Sequence, residues 1–192
     1  MKTPPGQSKI LVCQLHERVE IAKPSGCTVV ESPVSCLNAA TTTTYRLTIL
    51  CFSVRWIRAR PGIIELCAYL KHNPLTRKVP LFVSVDRWHR DLVERMKEAG
   101  VDFVDLQRVQ DQIDPERIFA QILKTGFSLH IDKILSRLCP FLRYEPIDSR
   151  RELIVCGAWQ NRMVLGGKRL NEVCETEGHR LCEYFINPRE TS

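Results

Sequence analysis

Short, unbroken apolar runs alternate along the first two thirds of the chain with segments whose apolar residues return every three or four positions. The runs are Ile10-Leu11-Val12-Cys13, Cys27-Thr28-Val29-Val30, Leu47-Thr48-Ile49-Leu50-Cys51-Phe52, residues 79–85 and residues 101–106. Runs of this length suit strands covered on both faces. The turn residues Pro24-Ser25-Gly26 precede the second run, and Pro80 is tolerable near the start of the fourth. Helical spacing appears at Ile63, Leu66, Cys67 and Leu70, stopped by Asn73-Pro74. It returns at Trp88, Leu92, Val93 and Met96, ended by Gly100. A third helix is marked by Ile113, Ile118, Phe119, Ile122 and Leu123, opening at Asp114-Pro115. The pattern resumes through Ile131, Ile134, Leu135 and Leu138 as far as Cys139-Pro140. Alternation of this kind predicts an α/β fold with a doubly wound, five-stranded parallel sheet over residues 8–127. Residues 128–192 are expected to form a small cysteine-rich α+β domain.

Three pieces of the first region resemble the receiver domain of response regulators. Pro61-Gly62-Ile63-Ile64-Glu65-Leu66-Cys67-Ala68-Tyr69-Leu70-Lys71-His72-Asn73-Pro74 is similar to the segment opening that family's third helix. Residues 79–85 resemble its fourth strand, with Ser84 as the hydroxyl residue that contacts phosphate, and residues 95–103 resemble its fourth helix running into the fifth strand. The resemblance implies a flavodoxin-like sheet, two acidic residues holding magnesium after the first strand, and an aspartate phospho-acceptor after the third. It also implies a lysine after the fifth strand.

The acidic residues are missing. Gln14 and Leu15 stand at the metal-holding positions, Cys51 stands at the acceptor strand, and Leu106 or Gln107 replaces the lysine. No Asp or Glu occurs between Ile10 and His16 or between Thr48 and Gly62. Acyl phosphate formation needs a carboxylate nucleophile and a cation to offset charge on the phosphoryl group. Magnesium prefers carboxylates and water as ligands. The degenerate pocket of Gln14, Leu15, Cys51, Ser84 and Gln107 is therefore expected to bind no magnesium and take no phosphate. Cys51 lies in an apolar run and reads as a buried structural thiol rather than a redox switch. His16 beside Glu17 reads as an exposed turn histidine, and Ser53 and Ser84 lack a histidine and acid framework for hydrolysis.

At 192 residues, 44% hydrophobic and 26% charged, the chain has the composition of a folded protein rather than a disordered one. It contains no apolar run long enough for a membrane-spanning helix, and its first nine residues lack an apolar signal core, so a cytoplasmic location with no membrane partner is expected. The net charge is +6, and residues 128–192 hold ten Lys/Arg against nine Asp/Glu, leaving most of the excess in the first region. Its nearest approach to a basic patch is Arg55, Arg58 and Arg60 around Trp56, which reads as a solvated loop, so nucleic acid is not the expected partner.

Of nine cysteines, five are scattered through the first region as small apolar residues. The other four follow the pattern Cys139-x16-Cys156-x17-Cys174-x7-Cys182, with His179 in the last interval. Four thiolates suit zinc or a [4Fe–4S] cluster. The wide spacing lacks the tight knuckle of zinc ribbons, so free buried cysteines and disulfides stand beside the metal reading. His179 is kept outside the expected ligand set.

The sequence thus leads to a non-enzymatic signalling protein related to two-component response regulators. Its receiver-like region would act by contact with a protein partner or as a homodimer, and its cysteine-rich region would sense a metal. The expected partner surface is His89, Arg90, Glu94, Lys97, Gln107 and Arg108. The alternative is an iron–sulfur redox or electron-transfer module.

Overall fold

The computed structural model describes residues 9–15, 26–106, 113–125, 130–160 and 163–189. Five parallel strands form the main sheet: β1 (Lys9–Gln14), β2 (Cys27–Val30), β3 (Tyr45–Phe52), β4 (Leu81–Val85) and β5 (Phe103–Leu106). They lie in the order β2-β1-β3-β4-β5. That order is compatible with a flavodoxin-like or receiver fold.

The sheet's two faces alternate along each strand, as the pleat requires. Leu11, Cys13, Leu50, Phe52, Leu81, Val83 and Val104 enter one core, with α1 (Pro33–Thr42), α2 (Arg60–His72), α3 (Arg90–Glu98) and α5 (His130–Arg137) covering them. Ile10, Val12, Leu47, Ile49, Cys51, Phe82 and Phe103 enter the other, where α4 (Pro115–Thr125) contributes Ile122. Burial on both sides explains why the strands read as continuous apolar runs.

Helix α1 has a weak apolar signature, because only Cys36 and Ala40 are buried. Its start is set by Ser32, whose side chain accepts the Ser35 N–H at 3.1 Å, followed by proline in the first turn. Strand β4 begins two residues later than the apolar run. Pro80 has no N–H to give the ladder, and its carbonyl accepts the Thr48 N–H at 2.9 Å. Trp88 precedes α3 instead of joining it, because His89 is the cap.

Helix α5 buries Ile131 and Ile134 in the same core as α1–α3. After it comes a three-stranded antiparallel sheet, in the order of its strands β6 (Leu142–Pro146), β7 (Glu152–Cys156) and β8 (Met163–Val164). Short helical turns then occupy most of residues 167–186. Among the described residues, no helix is long and apolar enough to cross a membrane.

One joint holds α2, β4 and β5 together. Asp102 accepts the Lys71 ammonium at 2.8 Å and the Leu81 N–H at 2.7 Å through the same oxygen. Next to it Gly100 turns the chain at φ +82°, and a Cβ there would lie 3.3 Å from Lys71 Cβ. Gly100→Ala is expected to cost about 1–2 kcal/mol, the penalty for an L-residue in left-handed backbone, read as a lower urea midpoint at unchanged slope.

Candidate functional site

The carboxyl edge of the parallel sheet lies where open α/β sheets bind ligands. There Gln14 pairs with Cys51, and Cys51 with Ser84, in one row across three strands. Leu15 follows β1 and is buried, its N–H donating to the Cys51 carbonyl at 2.8 Å. Gln107, Arg108, His16 and Glu17 lie outside the described residues. Cys51 is enclosed, and burial pushes its thiol up to about 12, so it stays protonated at neutral pH. The row brings together an amide, a thiol and a hydroxyl.

A carboxylate does reach this edge, from the end of β4 rather than from β1 or β3. Asp86, just past β4, accepts the Ser53 hydroxyl at 2.7 Å and the Val54 N–H at 2.8 Å. Both its oxygens hold the turn after β3. The signal was an acid directly after the apolar run ending in Val85.

Above the end of β1 opens a cleft of about 700 Å³, lined by Gln14, Leu15, Glu31, Pro33, Trp56, Arg58, Ala59, Gly62 and Ile63. One wall comes from the β2–α1 connection, the other from the β3–α2 connection and the first turn of α2. The basic loop divides here. Arg58 remains exposed on the cleft, whereas Arg60 is buried.

Arg60 anchors a junction between the two sheets. Its Nε donates to the Val54 carbonyl at 2.7 Å, and Nη1 and Nη2 donate to the two oxygens of Glu152 on β7, each at 2.6 Å. This is the fork-to-fork geometry in which arginine and carboxylate bind most strongly. His89 accepts the Leu92 N–H at Nδ1 at 3.3 Å, and its Nε2 lies 3.1 Å from Arg60 Nη1 and 3.4 Å from Glu152. The imidazole stacks on Tyr144 of β6 at 3.5 Å, and the Tyr144 hydroxyl accepts the Arg90 N–H at 2.9 Å. Arg90 also donates to the Leu135 and Leu138 carbonyls at the end of α5. Burial raises the Tyr144 pKa and keeps the phenol neutral. His89 and Arg90, expected on an exposed partner surface, are turned inward by these contacts. Lys97 pairs with Asp132 of α5 at 2.6 Å.

The four late cysteines come from separate segments. Cys139, Cys156 and Cys174 share one buried cluster with Leu142, Ala158 and Leu165. The Cys139 N–H donates to the Cys174 carbonyl at 2.7 Å, and Cys156 pairs with Leu142 across the antiparallel ladder. Gly157 permits this approach, since a Cβ there would lie 3.1 Å from the Phe141 carbonyl. Cys182 is half-buried and accepts a hydrogen bond from Arg169 at 3.3 Å. The Cys174 thiol is pushed up to about 12, by burial first and then by the nearness of Cys139, Cys156 and Cys182, against the pull of Arg169. Burial also raises Cys139; the Phe141 N–H opposes this, while Cys156 and Cys182 add to it. His179 is buried with Nδ1 bonded to the Thr176 carbonyl at 2.7 Å. Among the described residues, no three His, Cys, Asp or Glu side chains form a ready metal-ligand group. The thiols are neighbours rather than a closed shell.

The fold defines the class as a mixed α/β protein whose five-stranded parallel sheet is compatible with a flavodoxin-like or receiver fold. The chain matches no protein-family model and no curated protein.

The junction makes stability depend on pH. Burial alone would raise the Glu152 pKa, but hydrogen bonds and charge from Arg60 and His89 outweigh it and hold the group at about 2, below its ordinary 4.5. A depressed carboxyl stabilises the fold above its unfolded pKa and loses that contribution as pH falls through the folded one. Glu152→Gln is expected to cost about 3 kcal/mol at pH 7, because Arg60 keeps its charge in a buried place. In urea titrations the gap from the parent should narrow as pH drops from 4.5 toward 2.

Proposed function

We propose that this chain is a non-enzymatic regulatory protein whose receiver-like region takes no phosphate and whose late cysteines hold zinc or an iron–sulfur cluster. The observation that carries the reading is the meeting of Cys139, Cys156 and Cys174 in one buried cluster, with Cys182 beside them. Their segments are otherwise far apart in sequence. In this apolar setting burial makes Cys139 and Cys174 resist ionisation, and a bound cation supplies the charge that makes thiolates tolerable there. Ligation at about 2.3 Å from zinc requires the sulfurs to close in further. Arg169, donating to Cys182, would temper the negative charge of a thiolate-rich site from outside the ligand set. The regulatory part rests on the resemblance to receivers together with a sheet edge of Gln14, Cys51 and Ser84, where the carboxylate of Asp86 has both oxygens bonded to Ser53 and Val54.

Metal analysis of anaerobically purified protein tests the first half. About one zinc per chain, or iron and sulfide with absorption near about 400 nm that bleaches on reduction, is expected. Cys156→Ser and Cys174→Ser should each lose it and lower the stability of the segment after α5. Metal-free protein with both variants unchanged would overturn the reading. A bleaching cluster with a reversible potential and no regulatory partner would favour the alternative, an electron-transfer module. For the second half, magnesium with acetyl phosphate or beryllofluoride should leave the amide resonances of Gln14, Cys51 and Ser84 in place. A saturable shift at those amides would show that the edge still accepts phosphate.

A further inference from the structure

The cleft above β1 has the size, position and chemistry of a small-molecule site that the phosphate-free reading leaves unused. At about 700 Å³ it falls in the range of ligand pockets. It lies outside the carboxyl ends of β1 and β3, where the strand order reverses direction. Open α/β sheets place their ligands at this switch point. Its lining combines an aromatic side chain, an exposed cation and an apolar floor. Trp56 is 45% exposed on the cleft. Arg58 is exposed beside it, while Leu15 and Ile63 are buried beneath.

The first turn of α2 forms part of the same wall through Ala59, Gly62 and Ile63. That turn carries no acidic residue and no side-chain cap among the described residues, although the Ala59 and Arg60 N–H groups are bonded to the Trp56 and Ile57 carbonyls. At Gly62 a Cβ would meet nothing within 4 Å, so the wall is open where an anion would approach the backbone. Glu31 and Gln14 supply an acceptor and an amide on the side of the cleft toward β2. Base or ribose donors suit them.

We propose that this cleft binds a mononucleotide, with its ring on Trp56, its phosphate between Arg58 and the start of α2, and its sugar or base donors toward Glu31 and Gln14. The proposal is independent of the metal reading, since none of these residues belongs to the cysteine cluster.

The test is a titration of the full-length protein with AMP, GMP and FMN, followed by calorimetry, with adenosine and inorganic phosphate titrated separately. Saturable binding of at least one nucleotide is expected, at least tenfold tighter than either fragment. Arg58→Ala should weaken it tenfold or more, and Trp56→Phe should remove the accompanying change in tryptophan fluorescence. Gly62→Leu places a side chain in the open wall and should abolish binding while thermal unfolding stays at the parental midpoint. Absence of saturable heat with all three nucleotides at millimolar concentration would overturn the proposal. So would full-strength binding to Gly62→Leu, which would put the site elsewhere. Adenosine binding as tightly as AMP would overturn the phosphate assignment, and tight binding of a single-stranded oligonucleotide with none of the mononucleotides would identify a different class of ligand.

Discussion

A guanidinium buried at the start of α2 must find a carboxylate, and this requirement organises much of the molecule. Arg60 meets it with Glu152, ninety-two residues later in the chain. An isolated charge at that depth would cost several kcal/mol. The bidentate pair therefore favours arrangements in which the antiparallel sheet docks against the carboxyl edge of the parallel one. His89 and Tyr144 stack beside the pair and exclude water from it, which strengthens the electrostatics they enclose. Arg90 extends the same joint to the last carbonyls of α5, where a cation complements the helix dipole.

The same edge shows how the turn after β3 is fixed. In the family that the sequence resembles, acids there hold a metal. Here the nearest carboxylate, Asp86, is spent on Ser53 and Val54, fixing the turn that leads to Trp56 and α2. Ser84 stands in one row with Cys51 and Gln14. The turn is positioned by a carboxylate with both oxygens engaged in structure, and the side chains left facing the cleft are aromatic, amide and basic, with Glu31 the acid among them.

Strands were legible in the sequence because both faces of the parallel sheet are buried, which turns each strand into an apolar run that no loop imitates. Helix α1 was not, since its inward positions are the small residues Cys36 and Ala40, and Thr41 and Thr42 return their hydroxyls to carbonyls of the same helix. The Ser32-Pro33 pair was its only local sign. Arg60 looked like one member of a basic loop because nothing within its neighbourhood in sequence reveals a partner on another sheet. His89 and Arg90 read as an exposed helix start for the same reason. The late cysteines were legible as a set by number, but their wide spacing concealed the device that gathers them. A hairpin register sets Cys156 opposite Leu142, and a backbone hydrogen bond ties Cys139 to Cys174.

These features share two elements. Helix α2 carries a wall of the cleft at Gly62 and Ile63 and the anchor of the junction at Arg60, within a single turn. Strand β7 carries the other half of the anchor at Glu152 and, at its far end, Cys156. A contiguous path of rigid backbone and one bidentate ion pair therefore joins the cleft to the cysteine cluster. Contiguity alone is not coupling, which requires that both sites favour the same one of two arrangements. The ion pair is the natural place for those arrangements to differ, because it joins two sheets that otherwise belong to separate hydrophobic cores.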